Sequence, residues 1–283
     1  MAKLHLVATG VSLVLASTLP AAATDDMALL KQAQEIFKPL PNAVDMSDLP
    51  SAGPRVQLGR MLFFDARLTI NGNMSCSSCH QPAFYGTDAL PRSIGVKQRP
   101  HPRNAPTVLN TRVLNIIHWR GDRDSLEDQV AKATTSPITS GQPDEKAVIE
   151  RLSSVAGYAP LFEAAFPNEP QPLTLQNIAK AISAYERTLL TPSPFDAYLA
   201  GNQEALSAEA RAGLAKFINT GCVACHNGVG IGGGMYQKFG VVEGYWKATG
   251  SEPVDKGRAD VTNDPAELAM SLRQRGVSSL APA

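Results

Sequence analysis

Cys76-Ser77-Ser78-Cys79-His80 sets two thiols three residues apart, with an imidazole directly after the second. That order is the attachment signature of c-type haem. The thiols add across the two vinyl groups as thioethers, and the imidazole takes the iron from one side. On a helical turn, positions i, i+3 and i+4 share a face, so Cys76, Cys79 and His80 can all meet one flat macrocycle. Cys222-Val223-Ala224-Cys225-His226 repeats the arrangement, and the two motifs use all 4 cysteines of the chain. The residues therefore predict two covalently bound haem c groups. Cys76, Cys79, Cys222 and Cys225 are the attachment points, and His80 and His226 the iron ligands. Two other chemistries use paired cysteines. A four-thiolate zinc site takes two Cys-x-x-Cys pairs, although it has no need of a histidine at the same place after each. Disulfides between the pairs would suit an oxidising compartment. A redox dithiol would need a βαβ context, and the neighbouring sequence offers none.

The elements that must position these groups read as short helices. Leu29, Leu30, Ala33, Ile36 and Phe37 recur at helical spacing over 27–37, after Asp25 and Asp26 as caps. Pro39, Pro41 and Pro50 break the chain before a second helix over 55–64, with Leu58, Met61 and Leu62 on its apolar side. Asn71-Gly72-Asn73 is a turn leading into the first motif. Residues 81–110 read as one long loop, and a loop of that length in a compact domain is usually functional. Further helices are expected after Asp124 as cap, and over 144–155, 158–166 and 174–190. Thr191-Pro192-Ser193-Pro194 then makes the clearest domain boundary. Helices over 195–199 and 207–218 lead to the second motif, which is followed by the glycine-rich run through Gly234. No alternating strands of any length are evident. The fold class is mostly α, with two cytochrome c-like haem domains and long loops.

Bulk properties agree. The chain has 283 residues, 43% of them hydrophobic, enough for two domains with real cores. Charge balances at 26 basic and 26 acidic residues, so nothing points to nucleic acid. Residues 1–23 read as a secretory signal peptide: Lys3, an apolar run over 6–19 too short to span a bilayer comfortably, and Ala21-Ala22-Ala23 for cleavage. The remainder contains no candidate transmembrane helix, so a periplasmic protein is expected. The domains divide as 1–23 signal peptide, 24–190 first haem domain and 191–283 second haem domain.

Beyond the haem motifs, Leu58-Gly59-Arg60-Met61-Leu62-Phe63-Phe64-Asp65, Arg103-Asn104-Ala105-Pro106-Thr107, Ser125-Leu126-Glu127-Asp128-Gln129, Pro194-Phe195-Asp196 and Gly257-Arg258 follow in order. With these segments the chain resembles the bacterial dihaem cytochrome c peroxidases and their MauG-type relatives, to about Thr262. The resemblance implies a peroxidatic first haem with His80 proximal, and an electron-entry second haem with His226 proximal. It implies reduction of hydrogen peroxide to water with electrons from a small cytochrome c or cupredoxin. It places Trp119 between the haems as an electron carrier and Gln129 in the distal pocket. It also implies an interdomain calcium with Asn104 as a ligand, and a homodimer. A plain core tryptophan and a turn asparagine are the simpler readings of Trp119 and Asn104.

Three departures from the family pattern bear on activity. A histidine that caps the resting first haem in many members falls at Val96, so that haem is expected to stand open. His101, between two prolines, reads as a loop histidine rather than a substitute ligand. The family's proton-transferring glutamate falls at Thr139, a poor shuttle. Glu127 and Asp128 read as solvated helix charges. The chain also ends short of the segment that supplies the second haem's methionine, so the second domain reads as truncated. Met235 is the nearest replacement, although a packed or surface methionine is its simpler reading. These departures keep two alternatives open: MauG-type oxidation of a partner protein, and a dihaem electron carrier without enzymatic activity. A damaged gene product is a further one.

Overall fold

A computed structural model describes residues 26–41, 52–236 and 255–263; the expected signal peptide and the segment after Thr262 that departs from the family lie outside them, Asn263 excepted. Short helices joined by long turns dominate, as the sequence implies, and two clusters of apolar side chains organise them.

The first cluster forms where helix α2 (Ala52–Phe64) crosses helix α7 (Leu175–Glu186). Leu58 and Leu62 of α2 and Ile178, Ala181 and Ile182 of α7 are wholly buried. The crossing is close because residue 59 is glycine: a Cβ there would fall 1.8 Å from the Ala181 carbonyl oxygen. Helices α4 (Leu126–Thr134), α5 (Glu145–Ser153) and α6 (Tyr158–Ala165) complete this unit with Val130, Val148, Leu152 and Phe162. The caps explain the helix starts. Thr174 and Asp144 accept the N–H groups of Asn177 and Ala147. At α4 the cap is Ser125, whose Oγ accepts from the Asp128 N–H at 3.0 Å. Asp124, the expected cap, instead donates its own N–H to the Asp128 carboxylate. Helix α7 ends at Glu186 rather than near 190, because the chain turns away there and the Leu189 carbonyl accepts from the Asn110 N–H.

The second cluster gathers helix α8 (Pro194–Leu199) and helix α9 (Ala208–Asn219), with Tyr198, Leu199 and Ile218 buried. It also takes in helix α1 (Asp26–Ile36), through Leu29, Leu30 and Ala33. Directly after α1, strand β1 (Phe37–Lys38) pairs in parallel with strand β2 (Gly228–Val229), Phe37 opposite Gly228. The Phe37 ring meets Phe195 edge-on at 5.3 Å between centroids. Residues 26–38 therefore pack with the second unit, not with the 24–190 domain to which chain order assigned them. The apolar face of α1 finds its complement on α8 and α9, and chain order carries no information about that.

Residues 81–110 form a loop, as expected, holding two three-residue turns, Pro82–Phe84 and Val96–Gln98, and isolated bridges Gln81 to Thr87 and Ile94 to Pro100. Among the described residues no helix is long and apolar enough to cross a membrane.

Candidate functional site

At the first motif, Cys76–Cys79 forms a single helical turn, α3. The Ser75 N–H donates to Ser78 Oγ and the Ser78 N–H to the Ser75 carbonyl, which fixes the start of the turn. The His80 N–H closes it on the Cys76 carbonyl at 3.0 Å. Residues 81–87 then loop back so that the Gly86 carbonyl, 3.1 Å away, accepts from His80 Nδ1. Gly86 has φ +75°, and a Cβ there would crowd Thr107 Oγ1 at 3.0 Å, so glycine suits that turn. A carbonyl only accepts, so the proton sits on Nδ1 and Nε2 is left with its lone pair, the arrangement an iron ligand needs. Burial lowers the His80 pKa, with hydrogen bonding to Gly86 and Pro106 working against it, and keeps the ring neutral.

The second motif reaches the same result with different backbone. Cys222–Ala224 is a 3-10 turn with Cys225 as its C-cap, whose N–H closes on the Cys222 carbonyl. The His226 N–H donates to the Cys222 carbonyl at 3.0 Å, and His226 Nδ1 donates to the Ile231 carbonyl at 3.1 Å. Gly230 and Gly232, both with positive φ, let the chain bend back to deliver that carbonyl. A cavity of about 280 Å³ opens beside Cys225, lined by Val113, Asn115, Gly232 and Met235 among others. An apolar hollow lined by Phe37, Phe195, Leu214, Phe217 and Ile231 adjoins the motif, and Phe217 meets His226 edge-on at 5.9 Å. Both thiols and the imidazole are exposed at this motif.

The donor set fits haem better than the two rivals. None of the cysteines is in a disulfide. Among the described residues no three His, Cys, Asp or Glu side chains gather as a metal site would need, so the two cysteine pairs do not build one zinc centre. What remains is two separate thiol pairs, each beside an imidazole with its tautomer set.

Gln129, on α4, has a buried Oε1 with no hydrogen-bond partner, an acceptor that a peroxide O–H could satisfy. The positions of the departures are also clear. Val96 is 1% exposed and its N–H donates to the Ile138 carbonyl, so it packs as core. His101 lies within electrostatic reach of Asp88, His118 and His80, and burial lowers its pKa. Thr139 sits in a turn tied by Ser136. Glu127 is not a free helix charge: Arg187 grips it with two hydrogen bonds of 2.5 and 3.0 Å. Asp128 pairs with Lys132 at 2.7 Å.

Trp119 is half exposed, and its Nε1–H donates to the Asn104 carbonyl at 3.0 Å. The Asn104 side chain is exposed. His118 Nδ1 donates to the Asp122 carboxylate, as a hydrogen-bonded rather than ligating histidine would. Burial opposes ionisation of Asp122, but His118, Arg120 and Arg123 outweigh it and hold its carboxyl well below the usual range. The 255–263 segment closes on this loop. Arg103 pairs with Asp255 at 2.5 and 2.6 Å, and Arg258 Nη1 donates to the Arg120 and Gly121 carbonyls. No motif in the sequence marks these pairings, nor the buried Glu186 of α7, because each joins residues far apart in the chain or lies inside an ordinary helix.

The family model of the di-haem cytochrome c peroxidases matches residues 53–204. The chain belongs to the di-haem cytochrome c peroxidase family. Membership implies two haem cofactors, in keeping with the two motifs. The chain is 38% identical to the cytochrome c551 peroxidase of Pseudomonas aeruginosa over 258 residues, 90% of this chain and 73% of the relative. It is 37% identical to that of Nitrosomonas europaea, across 77% of this chain and 64% of the relative. It is 39% identical to the methylamine utilization protein MauG of Methylorubrum extorquens, across 63% of this chain and 52% of that protein. The chain thus spans between half and three quarters of the length of these relatives. A crystal structure of a MauG-like protein associated with microbial copper homeostasis superposes with a TM-score of 0.65 at 30% identity, covering 81% of this chain and 69% of that one. The mostly α architecture is that of this family.

Proposed function

We propose that this protein is an exported, periplasmic di-haem peroxidase that reduces hydrogen peroxide to water with electrons from a small cytochrome c or cupredoxin. The observation that carries the reading is the repeated device at His80 and His226, each with Nδ1 donated to a backbone carbonyl and two thiols alongside. Haem c joined to each thiol pair would supply redox-active iron, at which peroxide takes up two electrons and two protons to give two waters. His80 and His226 present Nε2 from one side, held in orientation by Gly86 and Ile231. Gln129 Oε1 accepts from the peroxide O–H and orients it, and it has no proton of its own to give. The buried Val96 leaves the position of the family's capping histidine without a side chain able to ligate iron. The Trp119 loop, where the 255–263 segment meets the first unit, lies on the path for electrons between the two. Asn104, whose side chain is exposed, would ligate an interdomain calcium, and the protein would form a homodimer.

A second reading, MauG-type oxidation of a partner protein, is suited by Val96, which supplies no capping imidazole and so leaves the first haem open; the lack of a proton-transferring carboxylate at Thr139 favours instead a dihaem electron carrier. The decisive experiment is a peroxide titration of the purified protein, oxidised and half-reduced, followed by optical and EPR spectra. The expected result is two haems per chain, one of them high-spin and altered by one equivalent of peroxide. Consumption of a reduced small donor alongside peroxide selects the peroxidase over partner oxidation. Two low-spin haems that ignore peroxide in both states would overturn both readings in favour of an electron carrier.

A further inference from the structure

Arg103 and Asp255, 152 residues apart in the chain, form a two-pronged ion pair at 2.5 and 2.6 Å. The Gly257 N–H donates to the same carboxylate at 2.8 Å, and a φ of +66° at Gly257 turns the chain toward Arg258. Arg258 Nη1 then reaches three oxygens: the Arg120 carbonyl at 3.1 Å, the Gly121 carbonyl at 3.3 Å and the Tyr236 hydroxyl at 2.8 Å. Its guanidinium also lies over the Tyr236 ring, 4.1 Å from the centroid. That ring abuts Gly121, where a Cβ would fall 1.8 Å from the Tyr236 hydroxyl oxygen. Ala259, next in the chain, is 1% exposed and anchors the segment.

Trp119 stands between these two attachments. The Asn104 carbonyl, beside Arg103, accepts its Nε1–H, and Arg120 and Gly121 follow it directly in the chain. The short run from Asp255 to Arg258 therefore ties together the two stretches that hold the indole. Packing alone does not hold it, since the ring is half exposed. The backbone beside it is strained: His118 has φ +68°, a conformation that persists only where the surroundings impose it. On the other side, Tyr236 follows Gly234 and Met235, which line the cavity beside Cys225 of the second motif. The contacts thus run unbroken from the wall of that cavity, through Tyr236 and Arg258, to the Trp119 loop.

We propose that Arg258 is a positioning residue for electron transfer: by clamping Tyr236 onto the Gly121 turn, it fixes Trp119 relative to the second haem site. The inference rests on the reading that the Trp119 loop lies on the path for electrons between the two sites. The step it serves moves one electron. The second haem site is oxidised by one electron, the first is reduced by one, and no bond is made or broken in the clamp. Misplacing a participating group by about 1 Å costs on the order of 100-fold in rate. A released indole therefore slows passage between the sites and leaves the access of peroxide to the first site as it was.

The test uses the intact haem-loaded protein, half-reduced so that the electron sits on the second site, and mixed rapidly with one equivalent of peroxide. Reoxidation of the second haem is followed optically. Arg258→Gln and Gly121→Ala undo the clamp from opposite sides. Both are expected to slow reoxidation about 10- to 100-fold, with the potentials of both haems and the response of the first haem to peroxide as in the wild type. Hydrogen exchange at the amides of 118–123 should rise in both variants, a readout independent of turnover. Should either variant fail to fold, Tyr236→Ala, at a half-exposed position, carries the same expectation. Trp119→Phe tests the path itself and is expected to slow reoxidation too. Slow reoxidation in Trp119→Phe with the wild-type rate in the clamp variants overturns the proposal and leaves the electron path standing. Faster exchange without slower reoxidation marks a clamp that only stabilises the fold, and overturns the proposal as well. Wild-type rates in every variant, Trp119→Phe included, overturn both the proposal and the path.

Discussion

At the scale of single residues, charge and burial decide most of the chemistry. Asp122 pairs with the guanidinium groups of Arg120 and Arg123 and accepts a hydrogen bond from His118, on the loop that carries Trp119. Asp122→Asn should cost roughly 1–3 kcal/mol of stability at pH 7, the range for leaving a buried hydrogen-bonding group unsatisfied, read from chemical denaturation. Because the folded carboxyl is depressed, its contribution is present above the ordinary carboxylate range and disappears as the pH falls through the folded value. The difference between wild type and variant should therefore vanish in strong acid. Glu186 behaves in the opposite sense. Its folded pKa is raised to about 8, so the folded protein binds the extra proton, and stability declines from the ordinary glutamate range up to about pH 8. Glu186→Gln should flatten that decline and raise stability by ~1 kcal/mol or more near pH 7, measured as denaturation midpoints across pH. The haem motifs were legible at this scale because their spacing is fixed within five residues of chain. Glu186 was not, because nothing in Tyr185-Glu186-Arg187 distinguishes a buried carboxyl from a solvated one until α2 and α4 close over it.

At the scale of elements, the crossing of α2 and α7 is the feature on which the first unit depends. Gly59→Ala would set a methyl against the Ala181 backbone, and backbone cannot rotate out of the way as a side chain can. The expected cost is ~1–3 kcal/mol or more, as for overpacked cores, seen as a lowered midpoint in thermal or urea unfolding. The helices were foreseeable from apolar spacing and cap residues. Thr174, Asp144 and Ser207 stand at the starts the sequence marks. The cap at Ser125 rather than Asp124 was not, since both residue types cap equally well and only the accepted hydrogen bond chooses between them. Nor was the identical device at the two histidines. A helical turn at one motif and a 3-10 turn at the other carry different loops that end with a carbonyl at the same 3.1 Å from Nδ1.

At the scale of the whole molecule, the second unit is built from two distant stretches of chain, with the first unit set between them. Phe37 is 1% exposed between Phe195 and Phe217, so Phe37→Ala should cost the ~3–5 kcal/mol typical of a deleted core phenylalanine. That loss should fall on the unfolding transition of the second unit, resolved by following the environments of His80 and His226 separately. Chain order suggested a clean division at the Pro192 to Pro194 hinge, and α1 shows why that rule fails: an amphipathic helix specifies that it must be covered, not by what. The parallel pairing of Phe37 with Gly228 also orders events in time. Synthesis, and translocation for an exported chain, delivers the N-terminus first, so the apolar face of α1 emerges before its partners on α8, α9 and β2. The whole first unit can fold in that interval, whereas the second waits for the last strand. Closing so long a loop is slow, and until it closes Leu29, Leu30, Ala33 and Phe37 are open to mispairing with other chains. Chains truncated before residue 228 should therefore hold a folded first unit and an unprotected helix, and are the species that a chaperone would bind.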